Sequence, residues 1–255
     1  NSFVFSNQVA PLFKKWLVHT YKLGDIVLTP SEYSKKILET YGIDREICVI
    51  SNGIDLDFWK EKDGDRDKFY EKYGLDKNKK SIISVGLPIK RKGIDDFISL
   101  GQSLPQYEFV WFGKLDRALM SPNIKKLIDL APSNVSFPGY VSSEDLRLAY
   151  SGSDLYLFLT HEETEGIVLL EALATRADIL IRDIEIFETD YEDGVNIYKG
   201  SSLEDFREKI VGICEGRLKS LKDFAYRKAQ DKSIEKTGRR LVGIYERVMN
   251  NEIGC

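Results

Sequence analysis

The sequence predicts an α/β protein whose core is a doubly wound parallel sheet. From residue 81 onwards, short apolar runs that are typical of buried strands alternate with segments of helical periodicity. The run 154–159 is too short for a globular helix and almost entirely apolar, as expected for a strand that is buried on both faces. Sheets of this kind bind ligands beyond the carboxyl ends of their strands. The predicted strands are 81–85, 108–112, 134–137, 154–159 and 179–181.

Composition excludes several classes of protein. The 255 residues are 42% hydrophobic and 31% charged, which is typical of a soluble globular protein with one large or two medium domains. The net charge of −4 and the isoelectric point near 5.5 argue against a general nucleic-acid binder, because such domains carry a basic excess. No apolar run reaches the length of about eighteen residues that a membrane span requires, and no export signal is recognised.

The cysteines indicate neither a disulfide framework nor a zinc site. Cys48, Cys214 and Cys255 are odd in number and lack the spacing of metal ligands. A reducing cytoplasm is therefore the expected compartment. Because the chain begins at Asn1 rather than at a methionine, an incomplete polypeptide is also expected.

The first part of the chain predicts a helix followed by a β-α-β unit. Apolar residues recur at helical spacing between positions 9 and 21, with Pro11 in the first turn, where proline is tolerated. Strands are predicted at 25–29 and 46–50, and Ser31 is the predicted N-cap of the helix between them. The far end of the chain is predicted to be helical.

Two acidic patterns are poor candidates for metal sites. The alternating aspartates of 63–67 suggest a calcium loop, but Lys68 and Gly74 stand where an EF-hand loop requires glycine and glutamate. Residues 57–78 are therefore assigned to a linker and a surface helix. The D-x-D pattern at 55–57 lies in a linker, where two carboxylates are weak evidence for a bound metal. No metal site is predicted.

A loop rich in carboxylates follows the run 154–159 and leads into a helix. Glu171 lies within this otherwise apolar helix, where an unpaired buried charge would be costly, so a polar partner is expected. Gly166 stands at the predicted start of the helix, where free backbone N–H groups and the helix dipole favour an anion such as phosphate. The alternative is an ordinary helix whose glutamate is solvated.

A second candidate loop follows the predicted strand 81–85. Residues 86–93 place three consecutive cations between two glycines, at a strand end that faces the ligand crevice of a doubly wound sheet. A solvated turn is the alternative, as for most runs of charge. Together the two loops predict a site for a nucleotide sugar.

Residues 163–172 resemble the paired-glutamate motif E-G-F-G-I-V-L-L-E-A of the retaining glycosyltransferases of family 4 (GT4). The match is complete over 166–172, whereas Thr164 and Glu165 replace the Gly-Phe pair of the motif. The resemblance implies the GT-B fold, with a Rossmann-like donor domain and the tail end of a second Rossmann-like domain.

The same resemblance implies roles for the two glutamates. Glu163 is expected to bind hydroxyl groups of the transferred sugar, and Glu171 is expected to bind the ribose of the nucleotide. The backbone between them, at Gly166, Ile167 and Val168, is expected to hold the diphosphate.

The basic loop resembles the family pattern G-R-x-x-x-x-K-G. Gly86, Lys92 and Gly93 match this pattern, whereas Leu87 stands at the position of the arginine. The resemblance implies that Lys92 binds the diphosphate, and Arg91 is expected to replace the missing arginine.

A third segment, 137–141, resembles the family pattern F-x-G-x-V, which implies that Val141 packs against the base. The residues expected to act in catalysis are Lys92 and Glu163. The residues expected to bind the donor are Gly86, Arg91, Lys92, Val141, Glu163, Thr164, Gly166, Ile167, Val168 and Glu171.

The resemblance also divides the chain. It implies that residues 1–57 are the end of the acceptor domain, that 58–231 are the nucleotide-sugar donor domain, and that 232–255 form a helix returning toward the acceptor domain. Since the family builds its site between two domains, this chain alone is expected to bind the donor and to be inactive in transfer.

The loops and the strand 108–112 resemble most closely those of Gram-positive diacylglycerol glucosyltransferases. This resemblance implies transfer of a hexose from UDP-glucose to diacylglycerol, without a cofactor or metal and with the donor phosphate as base. The basic, apolar stretch 13–18 predicts a peripheral protein on the cytoplasmic, anionic surface of the membrane. The alternatives are a non-catalytic nucleotide-sugar-binding module, a sugar-nucleotide epimerase, and a polysaccharide or protein glycosyltransferase.

Overall fold

The computed structural model describes residues 2–250, with side chains from residue 10 onwards. The chain divides into two compact units. The first unit comprises the chain up to Gly53 together with the chain from Ile234 onward, and the second unit is Ile54–Ser233. Cys255 lies outside the described residues.

The first unit is built on a pair of short parallel strands. Val27 of the first strand pairs with Ile47 of the second, and the two strands share a core with the C-terminal helix through Cys48, Ile50 and Ile244. Ser31 caps the intervening helix as predicted, since its hydroxyl oxygen accepts the N–H of Ser34 at 3.2 Å. The elements are α1 (Ser2–Lys22), β1 (Val27–Thr29), α2 (Glu32–Glu39), β2 (Ile47–Val49) and α10 (Ile234–Met249).

The prediction that Pro11 lies in the first turn of its helix is wrong. Helix α1 begins at Ser2, so Pro11 lies inside it. A proline there has no N–H to donate to the preceding turn, which removes one helical hydrogen bond. The apolar periodicity on which the prediction rested begins only at Val9, so the predicted helix began too late in the sequence.

The second unit contains the remaining elements, which alternate between helix and strand. Its helices are α3 (Asp65–Tyr73), α4 (Ile94–Ser103), α5 (Pro122–Asp129), α6 (Ser143–Gly152), α7 (Ile167–Ala174), α8 (Leu203–Cys214) and α9 (Lys222–Asp231). Its strands are β3 (Ser81–Val85), β4 (Glu108–Phe112), β5 (Val135–Gly139), β6 (Leu155–Phe158), β7 (Ile179–Arg182) and β8 (Tyr198–Gly200).

The six strands of the second unit form one parallel sheet in the order β5-β4-β3-β6-β7-β8. From β3 the chain proceeds outward through β4 and β5, then returns to β6 on the other side of β3 and proceeds through β7 and β8. This reversal makes the boundary between β3 and β6 the topological switch point, where doubly wound sheets bind their ligands. The predicted fold class is confirmed. The edge strand β8 was not predicted, because it is short and carries Lys199 among its three residues.

The helix between residues 57 and 78 is not the surface helix that the sequence suggested. Phe69 and Tyr70 of α3 are almost fully buried, because α3 packs on α6. Asp65 at its start is also buried and is paired with Arg147 of α6, whose Nη1 donates to Asp65 Oδ2 at 2.6 Å. Because this segment is highly charged, its sequence did not indicate that one face of the helix is buried.

The D-x-D pattern has a local structural role. The carboxylate of Asp55 accepts the backbone N–H groups of Asp57 at 3.0 Å and of Phe58 at 2.9 Å. An aspartate that accepts N–H groups two and three residues further along stabilises a turn. Asp55 of this pattern therefore has a structural role in the turn.

Candidate active site

The two candidate loops lie side by side at the switch point of the sheet. The basic loop leaves β3 at Val85, and the carboxylate loop leaves β6 at Phe158. Because β3 and β6 are neighbouring parallel strands, their carboxyl ends open at the same edge. The structure thus brings together two segments that are separated by about seventy residues in the sequence.

An ion pair joins the loops at their centre. The ammonium group of Lys92 contacts Oε2 of Glu163, and the two side chains are only 16% and 13% exposed. The other oxygen of Glu163 accepts the N–H of Thr164 at 3.3 Å. A cation and a carboxylate with little access to water therefore face each other where a ligand is expected.

Hydrogen bonds to backbone carbonyls join the two loops to each other. The N–H of His161 donates to the carbonyl of Arg91 at 2.9 Å, and Nη1 of Arg91 donates to the carbonyl of Glu162 at 2.9 Å. Gly93 packs so closely on Leu159 that a Cβ atom at this glycine would lie 2.4 Å from the Leu159 carbonyl oxygen. Gly93 also has φ +81°, a conformation that suits glycine. These contacts hold the backbones of the two loops together.

The carboxylate loop ends at the N-terminus of α7. Gly166 precedes the helix with φ +82°, and its carbonyl accepts the N–H groups of Leu169 at 2.8 Å and Leu170 at 3.2 Å. The N–H groups of Ile167 and Val168 come before these bonds in the helix, and the side chain of Ile167 is half exposed. This end of α7 can therefore present backbone donors and the positive end of a helix dipole to an anion.

The polar partner expected for Glu171 is Tyr150 of α6. The hydroxyl of Tyr150 donates to Oε2 of Glu171 at 3.1 Å. Burial raises the pKa of Glu171 to about 7, although the Tyr150 hydroxyl opposes this shift. The ring of Tyr150 packs edge-on against Tyr156 of β6 and Trp59, with ring centroids 5.1 and 5.9 Å away. Glu171 thus lies in a mostly aromatic environment, which accounts for its raised pKa.

The other residues predicted to bind the nucleotide sugar lie along the same edge of the sheet as the Lys92–Glu163 pair. Gly86 continues β3, and its carbonyl accepts Nε1–H of Trp111 at 2.9 Å. Thr164 is exposed on the carboxylate loop, beside Glu163. Val141 follows β5, which β4 separates from β3, so it lies along the edge rather than at the centre.

The sequence did not identify two groups that support the site. Tyr150 lies inside α6, and nothing in its spacing indicates that it faces Glu171. Arg182 ends β7, where Nε–H donates to the carbonyl of Leu159 at 3.0 Å and the guanidinium also contacts Asp96. His161 lies 3.4 Å from the same Asp96 carboxylate. Arg182 could have been found by the rule that identified Lys92, since both follow the carboxyl ends of predicted strands.

The described residues offer no arrangement of three or more His, Cys, Asp or Glu side chains that could hold a metal ion. Within residues 2–250, no helix is both long and apolar enough to cross a bilayer.

Two family patterns match the sequence. The family described as Glycosyl transferases group 1 matches residues 65–231, and the family described as Glycosyltransferase Family 4 matches residues 3–58. The first match covers the second unit from the start of α3 to the end of α9.

Individual relatives match most of the chain. It is 36% identical over 249 residues to the processive diacylglycerol alpha-glucosyltransferase of Acholeplasma laidlawii, covering 97% of this chain and 75% of that protein. It is 28% identical over 250 residues to the alpha-galactosylglucosyldiacylglycerol synthase of Streptococcus pneumoniae, covering 93% of this chain and 66% of that protein. The chain thus spans two thirds to three quarters of the length of these relatives.

Solved structures share the fold at low sequence identity. HepE of Anabaena, in complex with UDP-glucose, has a TM-score of 0.82 and 17% identity, covering 91% of this chain and 67% of that one. The sucrose-phosphate synthase of Thermosynechococcus elongatus has a TM-score of 0.80 and 14% identity, covering 93% of this chain and 62% of that one.

Proposed function

This chain belongs to the group 1 glycosyltransferases, and we propose that the protein transfers glucose from UDP-glucose to a diacylglycerol-based lipid with retention of configuration. The observation that carries the proposal is the approach of Lys92 and Glu163 at the switch point of the sheet. A cation for the diphosphate and a carboxylate for sugar hydroxyls are the two groups that a nucleotide sugar needs there. The choice of glucose and of a glycerolipid acceptor rests on the name of the 36% identical relative.

Lys92 and Arg91 act on the diphosphate. Cleavage of the bond between the anomeric carbon and the diphosphate leaves negative charge on the phosphate oxygens, and a preorganised cation stabilises that charge. The N-terminus of α7 at Ile167 and Val168 contributes backbone donors to the same anion. These groups stabilise the departing diphosphate more than the intact donor, so they lower the barrier.

Glu163 binds hydroxyl groups of the glucose, and Glu171 binds the ribose hydroxyls. In its ionised form a carboxylate accepts such hydrogen bonds through both oxygens. Tyr150 orients Glu171 by donating to one of its oxygens and leaves the other for the ligand. Val141 packs against the base. No protein nucleophile enters this scheme.

The anomeric linkages support the proposed retention of configuration. Glucose is α-linked in UDP-glucose, and the name of the 36% identical relative specifies an alpha-glucosyl transfer. In the proposed step, the acceptor oxygen bonds to the anomeric carbon on the face from which the diphosphate leaves. The acceptor proton passes to the departing phosphate, and UDP is released.

A lipid acceptor agrees with the surface of the first unit. Helix α1 exposes 68% of Leu12, 58% of Phe13 and 60% of Trp16, with Lys14 and Lys15 among them. Apolar side chains beside lysines are suited to an anionic membrane surface, where each lysine contributes about 1 kcal/mol. We propose that this helix contacts the cytoplasmic leaflet, beside which the acceptor lies.

The decisive assay incubates the protein with radiolabelled UDP-glucose and vesicles that contain diacylglycerol, with and without anionic lipid. We expect a labelled glucolipid and co-sedimentation that increases with anionic lipid. Since the chain spans 75% of the length of the 36% identical relative, the labelled glucolipid is expected from a form of the protein that covers that whole length, and the chain itself is assayed in parallel. Transfer to a soluble sugar or protein, epimerisation of the donor, or binding of UDP-glucose without transfer by the longer form would each contradict the proposal.

The affinity for UDP should depend on the ionisation of Glu171. The ribose hydroxyls donate to the ionised carboxylate, and the pKa of Glu171 is raised to about 7, so protonation below this value opposes binding. Between pH 6 and pH 8 the ionised fraction rises roughly tenfold, and the affinity gained through Glu171 should rise with it.

Calorimetry with Glu171→Gln separates this effect from the titration of UDP itself, which is common to both proteins. At pH 8 the substitution should weaken UDP binding by roughly 1 to 3 kcal/mol, and at pH 6 by much less. An equal loss of UDP affinity at both pH values would contradict the raised pKa of Glu171, and lower thermal stability with unchanged affinity would identify Glu171 as a structural residue.

A further inference from the structure

Resting on the proposed function, we infer that Glu163 makes the site prefer an intact nucleotide sugar over the free nucleoside diphosphate. It does so by holding Lys92 until a sugar hydroxyl replaces the ammonium as the partner of the carboxylate. The Lys92–Glu163 pair is therefore a specificity element as well as a part of the binding site.

Because the Lys92–Glu163 pair is largely buried, separating the two charges costs free energy. The side chains of Lys92 and Glu163 are 16% and 13% exposed, so neither charge can be hydrated fully if its partner leaves. A buried charge that loses its counter-charge is strongly destabilising. Any ligand that takes Lys92 must therefore also satisfy Glu163, or it binds at a disadvantage.

The loops cannot relieve this disadvantage by moving apart. The His161 N–H bond to the Arg91 carbonyl and the close packing of Gly93 on Leu159 hold the two backbones together. The N–H of Thr164 also holds one oxygen of Glu163 in the loop. The carboxylate thus remains beside the diphosphate position when Lys92 turns to a phosphate.

The two ligands differ in what they offer to this carboxylate. A nucleoside diphosphate supplies phosphate oxygens to Lys92 but only further negative charge to Glu163. A nucleotide sugar supplies the same phosphate oxygens together with hydroxyl donors for Glu163. After transfer the sugar is gone, so the ion pair re-forms at the expense of the phosphate contact and favours release of the nucleoside diphosphate.

Calorimetric titration of the chain with UDP and with UDP-glucose tests this inference. In Glu163→Gln, UDP should bind more tightly than to the wild type, by about tenfold, because Lys92 is no longer neutralised. UDP-glucose should gain nothing or weaken, since an amide is a poorer acceptor of hydroxyl hydrogen bonds than a carboxylate. The ratio of the UDP Kd to the UDP-glucose Kd should thus fall by at least tenfold.

Glu162→Gln is the matched control. It removes the same charge from the neighbouring exposed residue, whose carbonyl rather than carboxylate makes the bonds to Arg91 and Thr160. Its Kd ratio should equal that of the wild type. A similar fall in both variants would mean that general repulsion, and not the ion pair, sets the preference, which would overturn the inference.

A second test uses the Lys92→Gln variant, which lacks the ion pair. It therefore does not depend on Glu163→Gln alone. In Lys92→Gln both ligands should bind more weakly, because the diphosphate loses its cation, and neither ligand has an ion pair to break. Adding Glu163→Gln to Lys92→Gln should bring little gain in UDP affinity. The same gain in UDP affinity from Glu163→Gln in both backgrounds would refute the inference, because it would show that the gain does not come from releasing Lys92. If the wild type bound neither ligand, the proposed function itself would fail.

Discussion

Replacement of Lys92 by alanine is expected to lower the rate of glucose transfer by about a hundredfold to a thousandfold, the usual effect of removing one preorganised group from a developing oxyanion. In the proposed function the ammonium binds the departing diphosphate, and the Lys92 side chain is only 16% exposed to water. The loss should fall on kcat more than on KM, because the charge that Lys92 stabilises is larger in the transition state than in the bound donor. Steady-state kinetics with UDP-glucose in a form of the protein that catalyses transfer provides the measurement.

Lys90→Ala is the matched control for this experiment. Lys90 lies in the same short 3₁₀ turn, Lys90–Lys92, but its side chain is exposed. Its removal should alter the rate by only a small factor, since exposed charges are screened by water and salt. Unaltered kinetics in Lys92→Ala, or equal losses in both variants, would show that Lys92 is not the group that acts on the diphosphate.

Replacement of Arg147 by methionine is expected to lower the free energy of unfolding by about 3 to 5 kcal/mol, the usual result of leaving one partner of a buried ion pair without the other. Arg147 and Asp65 are only 3% and 4% exposed, and Arg147 also donates to the carbonyl of Lys60 at 3.2 Å. Burial by itself would raise the pKa of Asp65, but the bonds from Arg147 and Ser151 hold it below the usual value. Urea denaturation followed by circular dichroism measures the change.

Arg117→Met provides the comparison for the stability experiment. Nη2 of Arg117 donates to both carboxylate oxygens of Asp129, at 3.0 and 2.8 Å, but both side chains are more than half exposed. Its loss should hardly change the urea midpoint, because surface ion pairs contribute little. If Arg147→Met were as stable as Arg117→Met, the Asp65–Arg147 pair would not be what joins α3 to α6.

Local sequence patterns determined most of the sheet. The strands at 81–85 and 108–112 were predicted with the bounds that β3 and β4 have, because buried parallel strands are continuous apolar runs that differ from every neighbouring segment. The patterns failed where burial and local sequence disagree. Helix α3 is highly charged yet buries Phe69 and Tyr70, and β8 is too short and polar to be recognised.

The sequence by itself also determined which side chains stand at the carboxyl ends of the central strands. Lys92 and Glu163 could be named as candidates because each follows a recognisable strand, and the parallel arrangement brings such ends to one edge of the sheet. Their chemical types, a cation and a carboxylate between glycines, then limited the ligands that the edge could bind. These are properties of short segments and need no knowledge of the packing.

Only the tertiary structure decided which of these groups meet. That Lys92 pairs with Glu163, that Tyr150 donates to Glu171, and that Arg147 pairs with Asp65 depends on strand order and helix packing. These contacts join residues that are 21 to 82 positions apart. Local periodicity reports which face of an element is apolar, but not which element covers that face. The raised pKa of Glu171 also depends on the tertiary structure, because burial by the surrounding elements causes it.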